Sequence, residues 1–218
     1  MRIIAATQNK HKIKEINAVL EAFGMQLTSL ADVGLADLEI EETGTTCEEN
    51  SLIKAETVCR LTGEPAVADD TGLMIDALDG APGVYSARFA GENCSEADNR
   101  VKTLRLLEGL PFEQRSAKFI CVLTMVWPDG KKLQATGECS GRMLSLERGE
   151  HGFGYDSIFA PDMIPVKGAL PQDVLRDNSL LQPNSEWKSF AELSDDDKNA
   201  ISHRGRALIK LEEMLSSK

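Results

Sequence analysis

The chain has 218 residues, with 24 Lys and Arg against 35 Asp and Glu, so its formal net charge is −11. A hydrophobic content of 42% is typical of globular proteins and argues against a disordered chain. The acidic balance argues against a nucleic-acid partner, and no apolar run reaches the ~18 residues of a membrane span. Five widely spaced cysteines without a C-x-x-C pair predict reduced thiols in a cytoplasmic protein rather than a cysteine metal site.

The first half of the chain alternates short apolar runs with patterns of helical period. Thr46 and Glu49 form a capping-box pattern, which predicts a helix start near Cys47. Gly63 is typical of a helix end. The predicted strands are Arg2–Ala6 and Pro65–Ala68, and the predicted helices are Lys12–Phe23 and a second one from Cys47 to Gly63.

The second half predicts a helix, a long hairpin and a last helix. Ser95 begins another capping pattern, and a Pro-Asp-Gly turn at 128–130 joins two strand-like runs. The predicted elements are a helix with Val101, Leu104 and Leu107 on its buried face, strands Lys118–Trp127 and Leu133–Cys139, a strand Ser157–Phe159, and a helix capped by Ser194 with Ile201, Leu208, Leu211 and Leu215 on one face.

The segment Met163–Trp187 contains three prolines and little periodicity, which predicts a peripheral loop insertion with one helical turn at Asp173–Arg176. Early alternation of strands and helices followed by a hairpin predicts an α/β fold with a mixed sheet.

Polar clusters follow several of the predicted strands, where ligands bind in α/β proteins. The loop Thr7–Lys12 precedes a helix whose free N–H groups attract phosphate, although a plain helix start with solvated lysines explains it too. The acidic pairs Glu41-Glu42 and Asp69-Asp70 are expected in loops. They offer the oxygen ligands that Mg²⁺ prefers, whereas a random acidic pair is usually solvated.

Two further groups of residues are weaker evidence for a ligand site than the acidic pairs. Phe153, between two glycines, could stack on a flat ligand or belong to the core. Arg204, in Ser202-His203-Arg204, could donate to a purine oxygen or lie on a helix surface. A G-x-S-x-G serine motif and a zinc H-E-x-x-H motif are both absent from the sequence.

Seven ordered motifs together resemble the non-canonical purine nucleoside triphosphate pyrophosphatases, also called inosine triphosphate pyrophosphatases, over almost the whole chain. They are Thr7-x-Asn9-x-x-Lys12, Glu41-Glu42-Thr43-Gly44-x-Thr46, Glu49-Asn50 with Lys54, Ala68-Asp69-Asp70-Thr71-Gly72-Leu73, Gly80–Arg88, Gly152-Phe153-Gly154-Tyr155-Asp156 and Ser202-His203-Arg204.

The resemblance implies one domain over residues 1–218, with a mixed, elongated central sheet and two lobes that flank a nucleotide-binding cleft. It implies a homodimer that uses Mg²⁺ to convert ITP, dITP and XTP to the monophosphate and pyrophosphate. Glu41 and Asp70 are then the metal ligands, and Asp70 is also the general base. The implied substrate contacts are Thr7, Gln8, Asn9, Lys10, His11, Lys12, Lys54, Thr71, Phe153, Gly154, Tyr155, Asp156, Lys198, His203 and Arg204.

The sequence departs from the family pattern at Gln8, where many members have glycine, and in Met163–Trp187, which is longer than the usual family loop. Two alternatives stay open at this point. One is a Maf-like pyrophosphatase that acts on modified pyrimidine nucleotides. The other is a nucleotide-binding module without turnover, against which the intact acids at positions 41, 69 and 70 argue.

Overall fold

The computed structural model describes residues 1–217, apart from the side chains of Lys10 and His11. Among these residues the backbone forms nine strands and six α-helices. They are β1 (Arg2–Ala5), α1 (Lys10–Glu21), β2 (Gln26–Thr28), α2 (Cys47–Thr62), β3 (Ala66–Ile75), β4 (Pro82–Gly83), α3 (Glu96–Leu106), β5 (Ser116–Val126), β6 (Lys132–Met143), β7 (Phe159–Pro161), β8 (Met163–Pro165), α4 (Pro171–Val174), β9 (Leu181–Pro183), α5 (Asp195–Ile201) and α6 (His203–Ser216).

Seven of the strands form one sheet in the order β2-β1-β3-β5-β6-β7, with β4 paired to β3. β1 is parallel to β2 and to β3, whereas β4 is antiparallel to β3 and β7 is antiparallel to β6. The predicted α/β fold with a mixed sheet is therefore confirmed. None of the described helices is long and apolar enough to cross a membrane.

The chain divides into two compact units. Unit 1 contains Met1–Asp70, Cys121–Gly137 and the C-terminal segment that begins at Ala207, and unit 2 contains Thr71–Ile120 and Glu138–Arg206. The division falls inside β3, β5 and β6, so each of these strands contributes residues to both units.

Alternation along the strands of unit 1 sends side chains to two separate clusters. Ile3 and Val67 pack in one cluster with Ile16 and Leu20 of α1. Their strand neighbours, among them Ile4, Ala66 and Ala68, pack in the other cluster with Ala55 and Val58 of α2. The two helices therefore cover opposite faces of the strands, and the residues of β3 from Ala66 to Asp70 alternate between the side of α1 and the side of α2.

Unit 2 has its own core, which includes Phe159, Phe190 and Ile201. The predicted loop insertion at 163–187 contributes to this core through Val174, which is 2% exposed. β8 and β9 form a two-stranded ladder within it, and its helical turn is Pro171–Val174 rather than Asp173–Arg176. Contrary to the prediction from the sequence, the segment is therefore not irregular throughout. Val174, Ile164 and Leu181 pack against the core, whereas Met163 and Leu170 remain exposed.

The predictions of helix caps and of the hairpin turn are confirmed. Thr46 and Glu49 form both bonds of a capping box at α2, and Gly63 ends that helix with a left-handed φ of 68°. Ser95 and Asp98 form the same motif at α3. The hairpin of β5 and β6 turns where Pro128–Gly130 predicts it.

Four predicted details are wrong. β3 does not end at Ala68 but continues to Ile75, so the acidic pair at 69–70 lies in a strand. Val101 is 61% exposed, and Asn99 is buried in its place, because its amide bonds the backbone of Ala87 and Ala90. The strand predicted over Ser157–Phe159 begins only at Phe159, after a 3-10 turn. The predicted last helix is broken at Ser202.

Candidate active site

Asp69 and Asp70 lie in β3 and point to opposite faces, because successive strand residues alternate. Asp69 points to the side of α1, where its Oδ2 lies 2.8 Å from Nζ of Lys12. Asp70 points to the side of α2, where its Oδ1 lies 2.7 Å from Nζ of Lys54. One strand thus presents two carboxylates to two different lysines, each supplied by its own helix.

Lys54 joins two acidic side chains. Its Nζ donates to Oδ1 of Asp70 and, at 2.8 Å, to Oε1 of Glu42. Burial raises the pKa of Asp70, while the positive charge of Lys54 opposes that shift. The two carboxylates raise the pKa of Lys54 against the effect of its own burial. The lysine is therefore charged at neutral pH, and Asp70 is a stronger base than a solvated aspartate.

The loop before α1 is held by its own side chains. The hydroxyl of Thr7 accepts from the N–H of Asn9 at 3.3 Å, and Oδ1 of Asn9 accepts from the N–H of Lys12 at 3.3 Å. The amide of Gln8 donates to the carbonyl of Ala36 at 2.8 Å, so the residue that departs from the family pattern anchors this turn. The predicted contacts of Lys10 and His11 lie outside the described side chains.

The acids of unit 1 fit a magnesium ion that keeps several non-protein ligands. Oδ2 of Asp70 is buried and accepts no hydrogen bond from a described nitrogen or oxygen donor. Among the described residues no three His, Cys, Asp or Glu side chains group as a metal site. Mg²⁺ is commonly held by one or two carboxylates plus water and substrate phosphates, which matches this donor set. Glu41 is exposed, whereas its neighbour Glu42 is half-buried beside Lys54.

A glycine-flanked loop in unit 2 presents an aromatic ring next to cationic side chains. Oδ2 of Asp156 accepts from the N–H of Phe153 at 2.8 Å and from Nζ of Lys198 at 2.7 Å. Nζ of Lys198 also lies 4.7 Å from the centroid of the Phe153 ring, which is 37% exposed. A side chain at Gly152 would overlap the Asp156 carboxylate, and its φ is +78°, so glycine is required there.

The break between α5 and α6 places His203 and Arg204 in the first turn of α6. The hydroxyl of Ser202 accepts from the N–H of Gly205 at 3.0 Å and so caps that helix. A Cβ at Gly205 would overlap the carbonyl of Asn199, so glycine allows the close approach of the two helices. Arg204 is 5% exposed, and its guanidinium carbon lies 6.0 Å from the Phe153 ring centroid.

The remaining predicted residues of unit 2 differ in what they can offer to a ligand. The ring of Tyr155 is buried in the core, and its hydroxyl donates to the carbonyl of Ser86 at 2.8 Å. His203 stacks on Phe119 with ring centroids 4.7 Å apart. Oγ1 of Thr71 is buried and has no hydrogen-bond partner among the described residues.

Comparison with known proteins identifies the family of this chain. The model of the Ham1 family matches residues 3–214. The chain belongs to the Ham1 family. It is 44% identical over 215 residues to a dITP/XTP pyrophosphatase of Geobacter sulfurreducens, covering 98% of this chain and 96% of that protein. A dITP/XTP pyrophosphatase of Bacillus cereus is 42% identical over 216 residues, which cover 98% of this chain and 94% of the relative.

Solved structures of Ham1 proteins have the same fold. The HAM1 protein from Coxiella burnetii is 35% identical, with a TM-score of 0.83 and complete coverage of both chains. The Ham1 protein of Staphylococcus aureus is 33% identical, with a TM-score of 0.82, 100% coverage of this chain and 99% coverage of that one. The resemblance predicted from the seven motifs is therefore confirmed.

The sequence motifs that identify this Ham1 chain do not show which of its polar residues contact one another. The pairing of Glu42 with Lys54, and of Asp69 with Lys12, joins residues far apart in sequence. Glu96 and Arg100 of α3 bond the backbone of Gly154, one of the predicted substrate contacts. Local patterns carry no signal for such contacts, since each depends on how distant segments pack.

Proposed function

We propose that this chain is a pyrophosphatase that hydrolyses dITP, XTP and ITP to the monophosphate and pyrophosphate, and so removes these nucleotides from the cellular pool. The observation that carries the proposal is the match, over nearly the whole chain, to relatives named dITP/XTP pyrophosphatase. The paired acids and lysines of unit 1 support hydrolysis rather than binding alone. The relatives favour the purine interpretation over the Maf-like alternative.

The chemistry we propose centres on Asp70. Water attacks the α-phosphorus, a new P–O bond forms, and the bond to the leaving pyrophosphate breaks. Asp70 accepts the proton that the water loses, a role favoured by the raised pKa of its carboxyl group. Lys12 and Lys54 offset negative charge on the triphosphate. Mg²⁺ held by Glu41 and Asp70 would supply further neutralisation of phosphate charge when bound.

The residues of unit 2 suit a purine base with an acceptor at position 6. The exposed ring of Phe153 offers a stacking surface, and the guanidinium of Arg204 is a donor. Hypoxanthine and xanthine carry an oxygen at position 6, whereas adenine carries an amino group that cannot accept. We propose that the base of the nucleotide contacts these residues of unit 2.

Three further properties belong to the same proposal. The enzyme works as a homodimer, as the family resemblance implies. It acts in the cytoplasm, which is consistent with five free cysteines. Residues 1–218 act as one pyrophosphatase domain, in which 163–187 is a family-atypical insertion.

A nucleotide panel tests the proposed function. Pyrophosphate release is measured with Mg²⁺ for dITP, XTP, ITP, dATP, ATP, GTP and modified pyrimidine triphosphates. The proposal expects the first three to have the highest kcat/KM. A preference for modified pyrimidines would support the Maf-like alternative, and tight binding of dITP without pyrophosphate release would support a binding module.

Replacement of Arg204 by alanine is expected to reduce discrimination between dITP and dATP. A hydrogen bond from a charged donor contributes about 1.5–3 kcal/mol, so kcat/KM for dITP should fall roughly 10- to 150-fold. The value for dATP should fall much less, because its amino group makes no such bond. Arg206→Ala, in the same helix, is the matched control. Equal losses for both nucleotides would show instead that Arg204 binds phosphate or maintains the structure.

A further inference from the structure

The backbone of Gly154 is held at both of its polar groups by one helix. Its N–H donates to Oε2 of Glu96 at 2.8 Å, and its carbonyl accepts from Nη1 of Arg100 at 2.9 Å. Glu96 and Arg100 are one helical turn apart in α3, so both side chains project from the same face. Gly154 directly follows Phe153, and the two contacts therefore act on the peptide units next to the exposed ring.

Arg100 also links the loop to the chain segments on either side of it. Its Nε lies 2.9 Å from Oε2 of Glu147, and the same carboxylate oxygen accepts from the hydroxyl of Ser157 at 3.0 Å. Glu147 precedes the loop that carries Phe153, and Ser157 follows it. A planar guanidinium holds several donors in a fixed geometry, so Arg100 makes both contacts at once.

The space next to these contacts is a cavity and not packed side chains. The cavity has a volume of about 220 Å³, and its lining includes Glu96, Arg100, Glu147, Phe153 and Gly154. Apolar packing is therefore missing on this side of the loop. Ordering a loop costs backbone entropy, which the hydrogen bonds from α3 must help to offset.

We propose that Glu96 and Arg100 are positioning residues that hold the loop 152–157 in the conformation that receives the base. The proposal rests on the proposed function, in which Phe153 contacts the purine. Neither residue touches the reacting phosphates in this scheme, so both should affect substrate binding more than turnover. Arg100 has the larger effect because it contacts both Gly154 and Glu147, whereas Glu96 contacts Gly154 alone.

The test compares Arg100→Gln, Arg100→Lys and Glu96→Ala with the matched control Arg105→Gln, an exposed position in the same helix. Two readouts are used: KM and kcat for dITP, and hydrogen–deuterium exchange of a peptide that covers residues 152–157. Exchange requires no activity, so it tests the loop contacts even if the chain does not hydrolyse dITP. Absence of dITP hydrolysis by the wild-type protein would contradict the proposed function alone.

We expect Arg100→Gln to raise KM about five- to tenfold with kcat within about twofold, less than for the loss of a direct charged contact to the base, because Arg100 acts only through the loop. The loop 152–157 should exchange faster in Arg100→Gln than in the wild type. In Arg100→Lys both KM and the exchange rate should lie between those of Arg100→Gln and the wild type. Arg105→Gln should change neither readout. If Arg100→Gln does not fold, Glu147→Gln should show the same changes at smaller size. The proposal would be overturned if loop exchange in Arg100→Gln is unchanged. It would also be overturned if exchange is faster but KM for dITP is unchanged.

Discussion

Replacement of Asp70 by asparagine is expected to reduce kcat for dITP by about 10²–10⁴-fold, the usual loss when a general base is removed. Asparagine keeps the size of the side chain but has no basic oxygen. Lys54 lies 2.7 Å from Oδ1 of Asp70 and retains Glu42 as a partner, so the fold should survive. Turnover is measured at saturating Mg²⁺, so that a weakened metal affinity is not mistaken for the loss of the base.

Asp69→Asn is the matched control, because it removes the neighbouring carboxylate from the opposite face of the same strand. It breaks the 2.8 Å ion pair with Lys12, whose side chain is 19% exposed and can still be solvated. The loss in kcat/KM should stay within about tenfold, because the amide oxygen of asparagine can still accept a hydrogen bond from Lys12. If Asp69→Asn loses most of its rate and Asp70→Asn keeps it, the roles of the two residues are reversed.

Removal of divalent cations is expected to abolish hydrolysis of dITP. A metal ion that neutralises phosphate charge stabilises the transition state by several kcal/mol, which corresponds to at least about 10²-fold in rate. Excess EDTA should therefore reduce pyrophosphate release below detection, and added Mg²⁺ should restore it. EDTA saturated with Mg²⁺ beforehand controls for other effects of the chelator. Full turnover in excess EDTA would contradict a metal-dependent reaction.

The same assay distinguishes the two neighbouring glutamates. Glu41→Gln should raise the Mg²⁺ concentration needed for half-maximal rate, because Glu41 is the proposed ligand. Glu42→Gln should raise it less, since Glu42 bonds Lys54 at 2.8 Å. If Glu42→Gln raises this Mg²⁺ concentration more than Glu41→Gln does, Glu42 is the metal ligand instead.

Local patterns predicted most helix and hairpin boundaries, because caps and turns depend on neighbouring residues. The capping boxes at Thr46 and Ser95 and the turn at Pro128–Gly130 are examples. The same reasoning missed the continuation of β3 through Asp69 and Asp70, since two acids in succession are typical of a loop. They remain in a strand because lysines from two helices compensate the buried charge.

The sequence by itself determined the family, since seven motifs in order resemble it, and it determined the kinds of residue available for chemistry. Only the tertiary structure decided which partners these residues have. It paired Asp69 with Lys12 and Asp70 with Lys54, because alternation in β3 directs neighbouring carboxylates to helices on opposite faces. It also placed Arg100 against Gly154, 54 residues further along the chain. Contacts of this kind depend on the packing of whole elements, which no local pattern encodes.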